Sequence, residues 1–322
     1  MAPTVVETVP PTSLRTCQWQ ARERTHRARV DEFTAAHRDR VRRGETHPVW
    51  DFLFTYYNLR PRHLRVWHPG YGTALDGAAA RSYLRRCGYV ATADGVTVGI
   101  THLRARVGTV RFVADLLGAT AARSPVFGCF GMHEWAMVYR TEVVRHGGVP
   151  LRLGARGTDA VVESMPLRCS HFDAYRFFTP AAAARTEIKP ARSTQRDWEQ
   201  PGCLHANMDL YKWCAKLVPL VDSDLLMDCL EVAAAARELD MRASPYDLSG
   251  YGFEAITVEE PAGRADYARR QGEIAQRAAP LRAALLARCE QLLARETDAA
   301  AESAPEGAWI VSPEISRERD DG

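Results

Sequence analysis

Lysine is almost missing from this chain: of 42 basic residues, 3 are Lys and 39 are Arg. No apolar run approaches the roughly 18 residues that a membrane helix needs. Met1-Ala-Pro-Thr leads into no apolar signal-like stretch, so the expectation is a cytoplasmic protein with no membrane partner. The eight cysteines contain no Cys-x-x-Cys pair. That spacing excludes a thiolate zinc knuckle and fits reduced thiols better than a disulfide framework. There is no GxGxxG after a strand, no Walker A loop, no GxSxG elbow and no HExxH. Four common enzyme classes lose their signature on that basis. No internal repeat is apparent.

What is present is an ordinary globular composition, with 46% apolar and 25% charged residues in 322, enough for one large domain or two ordinary ones. Net charge is only +2, but the signs are segregated. Residues 15–111 carry 18 Arg and 8 acids, and residues 222–322 carry 21 acids and 11 basic residues. A GC-rich genome explains Arg in place of Lys but not the segregation of sign. A basic front third is what a phosphate-binding surface requires.

Hydrophobic periodicity predicts helices over 20–43, 48–58, 79–87, 102–117, 128–139, 204–217, 223–239 and 262–295. Residues 89–100 read as strand–turn–strand around Ala93-Asp94-Gly95, and 149–153 and 160–162 as short strands. Residues 190–202 read as a loop. The resulting expectation is a predominantly helical α+β single domain with a few short strands. It would span 15–295, between a disordered tail at 1–14 and a disordered acidic tail at 296–322.

The densest chemistry lies between His47 and Gly70, which hold three His, six aromatic rings, three Arg and one carboxylate. A segment built only to fill a core would use more Leu, Val and Ala. Its His47 and Asp51 are four apart on the predicted helix and share a face. Three further pairs repeat the theme: adjacent His133 and Glu134, His171 and Asp173 two apart, and His205 and Asp209 four apart. On a strand His171 and Asp173 would point to one side.

Two functional readings follow, beside the bland one of caps and surface contacts. His47, His133, His171 and His205 with their carboxylates could ligate iron, zinc or manganese. Alternatively, a carboxylate oriented by its histidine could act as general base toward water. Among Trp50, Tyr56, Tyr57, Trp67, Trp135, Tyr175, Tyr211 and Trp213, several stand beside the polar pairs and could wall a pocket for a flat or cationic ring, and Arg60, Arg62 and Arg65 could hold phosphates beside it. Core packing and solvated arginines are the competing explanations. Cys129 near His133 reads as a buried helical cysteine rather than a nucleophile, and Arg242 as a packing residue that could pair with Asp240 or with a site carboxylate.

Four segments together resemble a known family. His47-Pro-Val-Trp-Asp-Phe-Leu-Phe-Thr-Tyr-Tyr57, Phe130-Gly-Met-His-Glu-Trp-Ala-Met137, Cys169-Ser-His-Phe-Asp-Ala-Tyr-Arg-Phe-Phe-Thr179 and Gln200-Pro-Gly-Cys-Leu-His-Ala-Asn-Met-Asp-Leu-Tyr-Lys-Trp213 are similar to motifs of a bacterial, largely actinobacterial family labelled 3-methyladenine DNA glycosylase. The similarity spans about residues 20–290. It implies hydrolysis of the N-glycosidic bond of an alkylated purine in double-stranded DNA, without a cofactor. Asp209, Asp173, Glu134 and Asp51 would then be the candidate carboxylates, with His205 and His171 beside them. Tyr56, Tyr57, Trp67 and Trp135 would form the cage for the flipped base. The Gly-rich hairpin of helix-hairpin-helix glycosylases is absent. The alternative is a metal-dependent hydrolase or oxygenase that uses the histidines and a divalent ion.

Overall fold

In the computed structural model, which describes residues 12–142 and 148–302, a small sheet sits beside a larger helical body. The strands are β1 (Thr12–Leu14), β2 (Thr73–Leu75), β3 (Tyr89–Thr92) and β4 (Gly95–Val98), in the order β1-β2-β4-β3. β1 and β2 are parallel, and β3 and β4 form the expected hairpin, with Tyr89 opposite Val98. The helices are α1 (Thr16–Arg43), α2 (Phe52–Thr55), α3 (Pro61–Leu64), α4 (Ile100–Ala121), α5 (Met132–Ala136), α6 (Gly154–Ser164), α7 (Phe172–Tyr175), α8 (Pro180–Ala183), α9 (Gln195–Trp198), α10 (Leu204–Leu217), α11 (Ser223–Arg242) and α12 (Pro261–Glu302). The protein is therefore predominantly helical α+β. One core runs from Leu14 and Leu75 in the sheet to Leu285 and Leu292 in the last helix, as a single domain requires.

α4, α10, α11 and α12 pack on one another and form the helical body. In α12 the buried positions Tyr267, Gln271, Ile274, Ala278, Arg282, Leu285, Cys289 and Leu292 recur at three- and four-residue steps, which is one face of a helix. Its two polar members are paired: Gln271 Nε2 donates to the Gly202 carbonyl at 2.7 Å, and Arg282 donates to Asn207. Asp222 caps α11 by accepting from the Leu225 N–H at 2.9 Å, the usual service of an Asp at that position.

Several expected boundaries shift. Residues 12–14 pair with β2 instead of joining a tail, and α12 runs past 296 to Glu302; the remaining tail residues, 1–11 and 303–322, lie outside the described part. The helix expected at 48–58 is helical only over Phe52–Thr55, and that at 128–139 only over Met132–Ala136. The 79–87 helix is a 3-10 helix, Ala78–Arg85. The strand at 160–162 is instead part of α6, and 149–153 contributes one isolated bridge, Leu151 to Tyr246. Short β-branched runs look alike in both states, and tertiary packing decides between them. His171 and Asp173 stand on α7 and its cap, not on a strand, and the loop at 190–202 contains α9.

His68 fixes the sheet to the helices: its backbone N–H donates to Ser223 Oγ at 2.8 Å, and its Nδ1 meets the Tyr89 hydroxyl at 2.9 Å. Burial, reinforced by Arg86, pushes the imidazole down to about 3. The unfolded chain, near 6.5, therefore takes up this proton first as the pH falls. The stability held by neutral His68 is complete above pH 6.5 and is lost toward pH 3. Between pH 6.5 and 5 this loss is about 2 kcal/mol. Urea unfolding at pH 7.5 and pH 5 should show a smaller drop in His68→Phe than in the wild type; equal drops would remove His68 from the acid response.

Candidate metal centre

One short helix and two long ones bring imidazoles and carboxylates into one buried layer. α5 supplies His133 and Glu134, α10 supplies His205 and Asp209, and α11 supplies Arg237 and Asp240. His171 precedes α7, and Glu199 follows α9. The backbone into α5 turns through two left-handed residues, Phe130 (φ 48°) and Gly131 (φ 70°). A side chain on Gly131 would be strained there, and its Cβ would meet the Ala243 Cβ at 3.3 Å. The turn thus carries His133 and Glu134 directly against the end of α11.

Two donor groups result: His133, Glu134, His205 and Asp240, and beside them His171, Glu199 and Asp209. Within each, one donor atom per residue lies within 4.8 Å of all the others. In the first group His133 Nε2 is 2.6 Å from Asp240 Oδ1, and His205 Nε2 is 4.0 Å from Asp240 Oδ2. Arg237, only 1% exposed, donates to Glu134 Oε1 at 3.2 Å and to Asp240 Oδ2 at 3.3 Å. In the second group His171 Nε2 is 3.3 Å from Asp209 Oδ2 and 3.4 Å from Glu199 Oε1. Lys212 Nζ bridges Asp209 Oδ2 at 2.6 Å and Asp173 Oδ2 at 2.7 Å. The groups adjoin: the His133 and His205 rings are 4.4 Å apart and the His205 and His171 rings 5.2 Å apart.

Burial and charged neighbours together set the protonation of this layer. It would lower the His133 imidazole, but Asp240 overrides it and raises the group well above its ordinary value. Burial would raise Asp240 too, yet charged His133 holds it low. Burial and then Asp240 raise Glu134, and burial raises Glu199. His205 is pushed well down by burial and by charged His133, so it is the neutral imidazole of the set. Asp209 stays ionised against burial because of Lys212.

Two cavities reach the layer. One of about 520 Å³ has Cys129, His133, Cys203 and His205 in its wall, and one of about 330 Å³ touches Glu134, His205, Arg237 and Tyr56. His205 lines both. Cys129 is half-buried, its Sγ 3.4 Å from His133 Nδ1, so it contacts the layer from outside the donor groups.

Five residues of the four predicted pairs converge in the donor groups, and Asp173, His47 and Asp51 do not. Asp51 accepts from the His47 backbone N–H at 2.7 Å, sits 2.9 Å from His37 Nδ1 and pairs with Arg40 at 3.3 Å, so it joins α1 to α2. The His47 ring accepts from the Val49 and Trp50 N–H groups and packs on Tyr251 and Phe253. Asp173 enters the layer only through Lys212, flanked by Arg176 and Arg192 at 3.4 Å.

The aromatic cage does not assemble. Trp67 and Trp135 are 2% and 0% exposed, and Trp135 Nε1 donates to the Ala243 carbonyl at 2.8 Å. Tyr56 and Tyr57 meet edge to face at 84°, with Tyr56 stacked on Phe52, so they are not parallel walls for a base. Arg60, Arg62 and Arg65 are exposed around α3, where Arg65 pairs with Asp31 at 2.7 Å. Arg242 pairs with Glu238 and the Glu254 carbonyl, while Arg237 is the partner of Asp240.

The residues not foreseen are Glu199, Lys212 and Arg237, together with the ligand position of Asp240. A signal for two of them was present. Leu226, Leu230, Ala233, Arg237 and Asp240 follow one another at steps of four and three, which sets two charges on the buried stripe of an Ala-rich helix. Comparison with protein-family models, curated proteins and solved structures finds no match to the chain. Among the described residues no helix is long and apolar enough to cross a membrane.

Proposed function

We propose that the protein is a metal-dependent enzyme, a hydrolase or oxygenase, with a divalent ion held by His133, Glu134, His205 and Asp240. The carrying observation is the convergence of two imidazoles and two carboxylates from three helices, the outermost donors His133 and Asp240 lying 107 residues apart in sequence, in a largely buried layer. Buried ionisable groups are costly unless paired or bound to a metal, and imidazole with carboxylate suits iron, manganese and zinc. Arg237 compensates part of the negative charge, and the protons retained by His133 and Glu134 compensate more. A divalent ion would displace those protons, so affinity should rise with pH. The 520 Å³ cavity lined in part by His133 and His205 would admit substrate to the ion.

Purified full-length protein is expected to carry at least one transition-metal ion per chain by elemental analysis. Stripping with EDTA should lower the thermal midpoint, and Mn2+ at a hundred times its Kd should restore about 2.7 kcal/mol. Rescue by zinc would favour a hydrolase; rescue by iron alone, with dioxygen uptake, an oxygenase. Metal-free protein that releases methylated base from alkylated DNA would overturn the proposal in favour of glycosylase chemistry, as would a midpoint indifferent to chelator and metal.

A further inference from the structure

We infer that His171, Glu199 and Asp209 hold a second divalent metal ion beside the first, which makes the centre dinuclear. The inference rests on the metal reading above and extends it to residues outside the first donor group.

The spacing is the first argument. Ligands about 2.0–2.2 Å from a tetrahedral or octahedral ion lie about 2.8–3.6 Å from one another. His171 Nε2 lies 3.3 Å from Asp209 Oδ2 and 3.4 Å from Glu199 Oε1. A hydrogen bond would be shorter and in line, and neither contact has hydrogen-bond geometry. His171 is 1% exposed, and both its ring nitrogens are buried without a hydrogen-bond partner. Buried imidazoles are paired as a rule, yet here Nε2 has only these two longer carboxylate contacts and Nδ1 has no partner, so the ring is placed to turn a lone pair toward an ion between the carboxylates.

The surroundings are those of ligands held in place. Glu199 accepts from Gln195 Nε2, and Asp209 Oδ1 is 3.4 Å from the Tyr57 hydroxyl. Lys212 also touches Asp209 Oδ2, but it is shared with Asp173, and a carboxylate oxygen has a second lone pair for an ion. Outer contacts of this kind orient metal ligands. The second group adjoins the first through the His171 and His205 rings, inclined by 25°, and through the single helical turn between His205 and Asp209. Two adjacent ions can clamp both the attacking and the leaving oxygen of one reaction, which a single ion does not do.

The test is an ion count. Full-length protein is stripped with chelator, reloaded with Mn2+, desalted and analysed for manganese per chain. Two ions are expected in the wild type, and one each in Glu199→Gln, His171→Asn and His133→Asn. Glu199→Gln keeps the shape and the acceptor for Gln195, and circular dichroism checks that each variant folds. A wild type that binds one ion overturns the second site, and so do two ions that both survive Glu199→Gln and His171→Asn. No bound ion overturns the metal reading itself. The wild-type count retains its force even where a variant misfolds.

Discussion

Arg237→Met is expected to destabilise the metal-free protein by about 3–5 kcal/mol, the usual effect of removing one partner from a buried ion pair. Arg237 faces Glu134 at 3.2 Å and Asp240 at 3.3 Å, and its guanidinium lies 4.2 Å from the Phe52 ring centre. Methionine fills similar space but leaves Asp240, fully buried and held ionised by His133, less compensated. Domains are stable by only about 5–15 kcal/mol, so this is a large share of the total. A divalent ion bound by the same carboxylates supplies the missing charge, and the metal-loaded variant should lose far less. Urea unfolding with EDTA and with saturating Mn2+ separates the two. If the loss is the same in both conditions, Arg237 is a packing residue and the carboxylates do not take a metal.

His205→Ala is expected to act in the opposite manner, with little change in metal-free stability and a large loss of metal. Burial keeps this imidazole neutral, its side chain is 13% exposed, and its nearest carboxylate oxygen is at 4.0 Å. No tight ion pair is lost with it. As a ligand it should matter at least as much as an outer-sphere partner, whose loss typically costs about 10–100-fold in affinity; a fall of about 100-fold or more is expected by calorimetric titration with Mn2+. Unchanged affinity would take His205 out of the coordination sphere, and the two cavities would then lose their common wall as a catalytic element.

Much of the helical frame was legible because long amphipathic runs announce themselves: α1, α4, α10, α11 and α12 all fall on predicted segments. The short elements were not, since five residues such as Met132–Ala136 are shaped by the Gly131 turn and the neighbouring α11 rather than by their own periodicity. In the site, His205 and Asp209 were legible from their spacing on one helix. His47 and Asp51 have the same spacing, yet Asp51 spends its oxygens on a backbone N–H and on α1. Sequence spacing places two groups on a face; it does not say what the face meets. Asp240 reaches His133 across 107 residues, and Glu199 lay in a segment read as loop. The segregation of charge, which a phosphate-binding surface would also require, is used in part inside the molecule. Arg29 pairs with Asp228 at 2.7 Å and with Glu231 at 2.8 Å.

That last contact has a consequence for synthesis. Arg29 waits for acids 199 and 202 positions further along the chain. At roughly 5–20 residues per second, α1 leaves the ribosome about 10–40 s before its partners exist. Through that interval Arg29 lacks both acids, whereas Arg27 and Arg42 already have Glu23 and Asp39 on the same helix. The closing of α1 onto α11 is therefore among the late events of the protein's assembly, whatever the intrinsic helicity of α1.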